Sequence, residues 1–374
     1  FERKEGMIAR TTTPRPTKEK ATLQQVLSGK WQIKSVDPAI FRHEHVLPMI
    51  DLYCGGGGMS HGLVRKHGRF TLVSVLAIDC DPVAVATHRA SHPEVPCVQY
   101  NMTTWADTLR VVEEHLPREF WYKAWVHASN SCARASTQNG TNRDLEVAED
   151  ATRWTIGLLN KMRPGVWTWE NVPPLYDRVR GVAPHAQVVK MQRHCHIAQT
   201  RRRLIAASHE LCFASHIGGT LSMHDVIGER KHWNANAKLL QRDAWNGTRS
   251  THQSSFTVTS GTLSAGAEAM GHFGPEHRLD WADKAMLQGF INPKQIVFPD
   301  PCAEQRKQQV VANMVPPPFA KVLCLAAVAQ LQENLSRQTL ERQLDVLDAL
   351  SDSDDDDAPL NSVRSAAVQV NAAA

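Results

Sequence analysis

Four consecutive glycines, Gly55–Gly58, stand between the apolar run Leu47–Cys54 and a helix-prone stretch over Met59–Lys66. A strand that meets a glycine run and then a helix must turn sharply. The missing side chains let backbone N–H groups approach a ligand at the helix amino end. No Gly-Lys-Ser/Thr follows, so the spacing is not that of a phosphate-binding P-loop. The next apolar run, Thr71–Asp79, ends in an acid at the separation where a carboxylate meets ribose hydroxyls in dinucleotide-type folds. Glycine turn and acid together point to an adenosine-containing cofactor.

The alternation continues along the chain. The pattern predicts helices over Pro82–Ser91, Ala106–His115 and Asp144–Met162, and strands over Val95–Tyr100, Lys123–Ser129 and Gly165–Val172. Strands alternating with helices predict a parallel, doubly wound α/β sheet. Beyond Val172 the periodicity weakens, with one further strand expected at Gln199–Ser208. Glu210–His277 is rich in Gly, Ser, Thr, His, Asn and Trp and reads as a small separate domain or insertion. Helical patterning returns at Arg278–Phe290 and at Gln309–Gln330, the latter continuing to about Leu350. The acidic run Ser351–Asp357 is low-complexity.

Composition narrows the function classes. Hydrophobic residues make up 42% and charged residues 21% of 374, ordinary for a globular protein. No stretch reads as membrane-crossing, and the basic, polar amino end carries no secretory signal. Eight cysteines are scattered without a C-x-x-C pair, which argues against a zinc module and a disulfide framework and suits a reducing, intracellular compartment. His194, Cys195 and His196 are adjacent, so on a strand they alternate between faces and do not read as a metal site. The net charge is +4; five aspartates and one arginine lie in residues 351–374, leaving residues 1–350 at +8. A basic body suits a polyanionic partner. An acidic tail fits a nuclear setting in a eukaryotic source.

Cys132 stands just beyond the carboxyl end of a predicted strand, the edge where ligands sit in open α/β sheets. A lone cysteine is more often a small buried hydrophobe. Three other stretches change that reading: Trp167–Val172 with Glu170 and Asn171 at a strand end, Gln199–Arg203 with Arg201 and Arg203 on one strand face, and Asn313 ahead of Val315–Pro318 at the start of an apolar helix.

The order DLYCGGGG, AIDCDP, a strand-end Cys, ENV, QTRRR, LQGF and ANMVPP resembles the DNA cytosine-5 methyltransferase family over about Asp51 to Ala320. The resemblance implies a Rossmann-like S-adenosylmethionine-dependent methyltransferase sheet with a second, small target-recognition domain. It implies S-adenosyl-L-methionine as methyl donor and, as partner, double-stranded DNA from which a cytosine is flipped, with no membrane or metal partner and a monomeric chain. The corresponding organisation is a basic extension over 1–46, a catalytic domain over 47–210 and a recognition domain over 211–274. The catalytic domain resumes over 275–335, before a helix and acidic tail over 336–374.

Residue by residue, the resemblance puts Tyr53 against the adenine, Gly55 and Gly57 around the methionine end, and Asp79 on the ribose hydroxyls, with Cys80 beside it. Asn101 stands where an aspartate usually receives the adenine amino group, and Asn313 lies near the cofactor. Cys132 matches the nucleophile, Glu170 the acid on the cytosine's N3 and amino group, and Arg203 and Arg201 the arginines that orient the base. Arg230, Lys231, His232, Trp233, Arg242, Trp245 and Arg249 are candidates for DNA contacts.

The chain departs from the family at Asn130-Ser131-Cys132, where Pro-Pro-Cys is usual, in the short segment between Val172 and Gln199, and at Ala312 in place of Gly. Loss of both prolines predicts a looser turn before the thiol. Two alternatives therefore stand beside the DNA enzyme: an inactive member that binds S-adenosylmethionine or DNA as a regulatory protein, and an RNA cytosine-5 methyltransferase. The Cys-Phe-Thr signature of the RNA-methylating branch is absent.

Overall fold

A computed structural model of the chain describes residues 23–28, 36–136, 144–183, 185–199, 201–215, 221–227, 229–230, 238–240, 253–255 and 279–351. Its contacts divide the chain into one unit over Phe1–Leu331 and a second over Gln332–Ala374. The first contains an eight-stranded sheet: β1 (Val46–Leu52), β2 (Lys66–His67), β3 (Phe70–Asp79), β4 (Cys97–Gln99), β5 (Trp125–Ala128), β6 (Val166–Asn171), β7 (Gln187–Lys190) and β8 (Arg202–Ala207). The order is β2-β3-β1-β5-β6-β8-β7, with β4 also paired to β3. β4, β3, β1, β5 and β6 run parallel, and β8 runs antiparallel to both β6 and β7.

The helices are α1 (Leu23–Leu27), α2 (Gly58–Gly62), α3 (Pro82–Ser91), α4 (Trp105–Glu113), α5 (Leu145–Met162), α6 (Tyr176–Val179), α7 (Met223–Ile227), α8 (Trp281–Leu287), α9 (Glu304–Asn313) and α10 (Pro317–Ser351). Their starts follow local rules. Asp81 caps α3 by accepting from the N–H groups of Val83 and Ala84, with Pro82 at the first helical position. Asp280 and Asp283 form a reciprocal capping box on α8.

Every residue of β1 is buried, Asp51 included. A strand flanked on both sides by parallel partners is covered on both faces, which explains its continuous apolar run. Asp51 is fully buried, its oxygens lack hydrogen-bond partners among the described residues, and burial pushes its carboxyl well above the carboxylate range. Beyond β1 the strand order reverses, with β3 on one side and β5 on the other. The crevice at the carboxyl ends of β1 and β5 is the ligand position in such sheets.

Two expectations change. The parallel sheet acquires two reversed strands, the two-residue β2 against β3 and β8 against β6, and the unpredicted edge strand β7 beside β8. Among the described residues, the short segment after Val172 holds two 3-10 turns, Pro173–Leu175 and Met191–Arg193, the single-turn α6 and β7, so the helix-period pattern had nothing to report there. The stretch Glu304–Asp345 is also long and apolar enough, by length and composition alone, to cross a membrane, contrary to the sequence reading. Most of that apolar window is buried inside the protein: Phe319, Ala320, Leu323, Cys324, Ala327, Val328 and Leu331 are all in the core. The stretch is broken between α9 and α10 at Met314–Pro316. Most of 211–274 lies outside the described residues, which there include α7 and a two-stranded antiparallel pair, Lys238–Leu240 with Gln253–Ser255.

A group of histidines packs under the glycine turn. The His61 ring lies 4.2 Å from that of His92 and 4.8 Å from that of Phe290. Burial, with His92 and His88 adding like charge, pushes His61 down to about 3. A histidine held neutral in the fold is protonated in the unfolded chain below about pH 6.5, so stability is full above that value and falls as the pH drops toward 3. Urea unfolding at about pH 7 and about pH 5 is expected to show a smaller loss of stability for His61→Phe than for the wild type. An equal loss in both would remove His61 from the acid response.

Candidate active site

The crevice is lined by segments distant in sequence. Tyr53 leaves β1 in the left-handed region at φ 63°, followed by Gly55 at φ 53° and Gly57 at φ 96°. The Gly55 N–H donates to Asp79 Oδ2 at 2.8 Å, and the Asp81 N–H donates to Asp79 Oδ1 at 2.9 Å. Burial holds the Asp79 carboxyl above its ordinary value, while these N–H groups pull it back. Each oxygen keeps a lone pair beyond those bonds.

The glycines divide their work. A Cβ on Gly55 would meet nothing within 4 Å, so this backbone faces open space. A Cβ on Gly57 would lie 2.7 Å from the His92 ring, and one on Gly58 would lie 2.3 Å from the Val315 carbonyl oxygen. Ligand approach therefore falls to Gly55, while Gly57 and Gly58 permit close packing. Cys80, Asn101 and Asn313 are exposed. Asn313 is the last residue of α9, not the start of a helix as the sequence pattern suggested, because the proline run ends one helix and opens the next. An open glycine backbone beside a carboxylate with spare acceptor capacity fits the ribose and methionine portions of S-adenosylmethionine. The exposed Asn101 side chain is available to an adenine amino group.

Cys132 lies in the turn after β5, half-buried, its carbonyl accepting from the N–H groups of Ala135 and Ser136 at 3.0 and 2.8 Å. Residues 137–143, which follow, lie outside the described residues. The turn before the thiol is not loose. Asn130 is only 6% exposed, and its Oδ1 accepts from the Trp169 indole at 2.6 Å. Asn171 Nδ2 donates to the Asn130 carbonyl at 3.1 Å. Side-chain hydrogen bonds thus restrain the segment where prolines were expected.

Register explains how the rest arrives. Ala128 pairs with Trp169, so the chain leaving β5 emerges beside Glu170. Because β8 is antiparallel to β6, its beginning lies at the edge where β6 ends. Glu170 is paired with Ile205, which puts Arg203 on the same face, two residues along. Arg203 Nε lies 2.7 Å from Glu170 Oε1, with side chains 10% and 11% exposed. Arg201 is buried, donates from Nη1 to the Ala312 carbonyl at 3.3 Å, and interacts electrostatically with Arg203, Glu170 and Cys132. Burial and the neighbouring Arg203 push its guanidinium down to about 9, so it stays charged at neutral pH. Two guanidinium groups face one carboxylate, which leaves the site net positive beside a thiol.

The structure thus brings Cys132, Glu170, Arg203 and Arg201 together, and separately gathers Tyr53, Gly55 and Asp79. Sequence reasoning overlooked Trp169 and the buried role of Asn130; the signal was an asparagine beside an apolar strand end, a polar group that needs a partner when buried. Of the DNA-contact candidates, Arg230 pairs with Asp280 and Asp283 at 2.6 and 2.7 Å. Lys231, His232, Trp233, Arg242, Trp245 and Arg249 lie outside the described residues. Among the described residues, no group of three or more His, Cys, Asp and Glu could hold a metal ion.

Removing one member of a buried pair strands the other. Arg203→Met is expected to cost about 3–5 kcal/mol in urea unfolding, with much of it recovered when Glu170→Gln is added. Equal stability of Arg203→Met and wild type would contradict a buried ion pair.

No family model and no curated protein matches the sequence. The chain is similar to a solved structure described as a DNA modification methyltransferase encoded within a prophage (E. coli), with a TM-score of 0.54 and 15% identity over 77% of this chain and 99% of that one. A Dnmt2 methyltransferase from S. pombe aligns with a TM-score of 0.47 and 15% identity over 79% of this chain and 99% of that one. A Spodoptera frugiperda DNMT2 mutant aligns with a TM-score of 0.45 and 14% identity, over 76% and 99%. The fold assignment rests on the prophage protein and on the strand order: five parallel strands, then an antiparallel strand inserted before the last. The chain has the Rossmann-like fold of the S-adenosylmethionine-dependent methyltransferases.

Proposed function

We propose that the chain is a DNA cytosine-5 methyltransferase that uses S-adenosylmethionine. The observation that carries this reading is the meeting of Cys132 with the buried Glu170–Arg203 pair and Arg201 at one sheet edge, next to an open glycine turn. Cytosine C5 is a poor nucleophile. Addition of the Cys132 thiolate to C6 turns the ring into an enamine, and the electron pair then sits at C5. Glu170 delivers a proton to N3 and accepts a hydrogen bond from the exocyclic amine as negative charge builds on the ring, and Arg203 stabilises the C2 carbonyl.

Arg201, anchored on the Ala312 carbonyl, holds the positive field without competing for Glu170. S-adenosylmethionine, when bound, supplies an electrophilic methyl group. Tyr53, Gly55, Asp79, Cys80 and Asn101 would hold it, with Gly57 shaping the turn and Asn313 at the rim. A base stacked in a duplex cannot reach these buried groups, so the reading requires a flipped cytosine. DNA as substrate is supported by the positive charge of residues 1–350 and by the description of the prophage protein.

The test is covalent trapping. Duplex DNA carrying 5-fluorocytosine in varied contexts, mixed with the protein and S-adenosylmethionine, is expected to give an adduct stable on denaturing gels. Fluorine replaces the C5 proton whose loss releases the enzyme. The adduct should vanish in Cys132→Ser. Trapping on RNA alone would move the substrate to RNA. Absence of adduct on either, with S-adenosylmethionine binding intact by calorimetry, would favour a non-catalytic binding protein.

A further inference from the structure

We propose that Asn130 is a positioning residue whose side chain clamps the nucleophile turn to the strand that carries Glu170. The proposal rests on the methyltransferase reading above for its catalytic consequence, but the clamp itself stands on geometry. Asn130 Oδ1 receives the Trp169 indole at 2.6 Å, and Asn171 Nδ2 donates to the Asn130 carbonyl at 3.1 Å and approaches Oδ1 at 3.5 Å. Trp169 and Asn171 flank Glu170 in β6, and all three are buried. Asn130 stands two residues before Cys132. Beyond Cys132, the chain is held by the N–H groups of Ala135 and Ser136 on the Cys132 carbonyl. The thiol is therefore suspended between two restraints, and the upstream one reports directly on the position of Glu170.

The chemistry of the donors fixes the amide's orientation. An indole N–H only donates, so the atom facing it is the Asn130 oxygen. That leaves Asn130 Nδ2 buried without a hydrogen-bond partner among the described residues. An apolar side chain would fill the position without that penalty. The polar residue is explained by what its oxygen and carbonyl do together: they tie the thiol's turn to both neighbours of the acid. Two prolines would stiffen such a turn from within the backbone. Here stiffness comes from across the sheet, through the side chains of Trp169 and Asn171.

The experiment uses the full chain with Asn130→Ala, Trp169→Phe and the double variant. Trp169→Phe removes only the indole donor and keeps an aromatic ring in the core, so it carries the test if Asn130→Ala does not fold. Two readouts are taken. The first is the single-turnover rate of adduct formation on 5-fluorocytosine DNA, with the DNA concentration at half-saturation. The second is the rate of Cys132 alkylation by iodoacetamide, followed by peptide mass spectrometry.

Each single variant is expected to slow adduct formation by about 10- to 100-fold with half-saturation unchanged. The double variant should be no slower than the slower single, because both remove one shared contact. Cys132 should be alkylated several-fold faster in each, as the turn loosens. Wild-type rates in both readouts, or losses that multiply in the double variant, would overturn the clamp. If the wild type traps no DNA, the methyltransferase reading fails and alkylation alone decides: faster modification of the variants upholds the clamp, and unchanged modification overturns it.

Discussion

The turn after β1 depends on a close backbone approach between Gly58 and Val315, where a single added carbon would sit 2.3 Å from a carbonyl oxygen. The missing side chains at Gly56 and Gly58 let the Met314–Val315 segment lie directly on the turn that follows β1. That contact holds the junction of α9 and α10 against the turn that follows β1. It also brings the end of α9 to the crevice, where the Ala312 carbonyl receives Arg201. Arg201 and Arg203 share a face of β8, and Arg203 pairs with Glu170. A chain of contacts therefore runs from the glycine turn through α9 and β8 to the acid. Glycine here serves packing as much as ligand approach, and only Gly55 among them faces open space.

The site also illustrates how charge is made tolerable in a buried place. Glu170 and Arg203 are each about nine-tenths removed from solvent. Desolvation of either alone is costly, and their mutual attraction offsets it only when both are present. Arg201 leans on a backbone carbonyl, and burial, with Arg203 adding like charge, pushes its guanidinium down. A net positive, water-poor crevice beside a thiol is expensive for stability and useful for an anionic, electron-rich transition state.

Much of the fold was legible in the sequence. The strand–glycine junction at Gly55–Gly58, the proline-opened helix at Pro82, and the long helix before Met162 follow from local chemistry and hydrophobic period, whereas the helix expected over Met59–Lys66 ends at Gly62 and Lys66 opens β2. The strand at Gln187–Lys190 was not legible, because an edge strand of four residues with three only partly buried or exposed carries no apolar run. Direction was not legible for Arg202–Ala207 either, since an isolated strand reads the same both ways. The proline run at Pro316–Pro318 was read as interior to one helical region, whereas it separates α9 from α10 and leaves Asn313 at a helix end.

By itself the sequence determined which residue types could do chemistry and in which order they occur: a glycine turn, an acid at Asp79, a thiol at Cys132, an acid at Glu170 and two arginines. It determined them because strand ends and glycine runs are local events, written within a few residues. Only the tertiary structure decided that Arg203 reaches Glu170, with Arg201 in electrostatic range, since that depends on the reversed direction of β8. Only it decided that Asn130 is a buried, bonded residue and not the centre of a loose turn, since its partners Trp169 and Asn171 lie some forty residues away. Burial and hydrogen-bond partnership are properties of packing, and no local pattern specifies them.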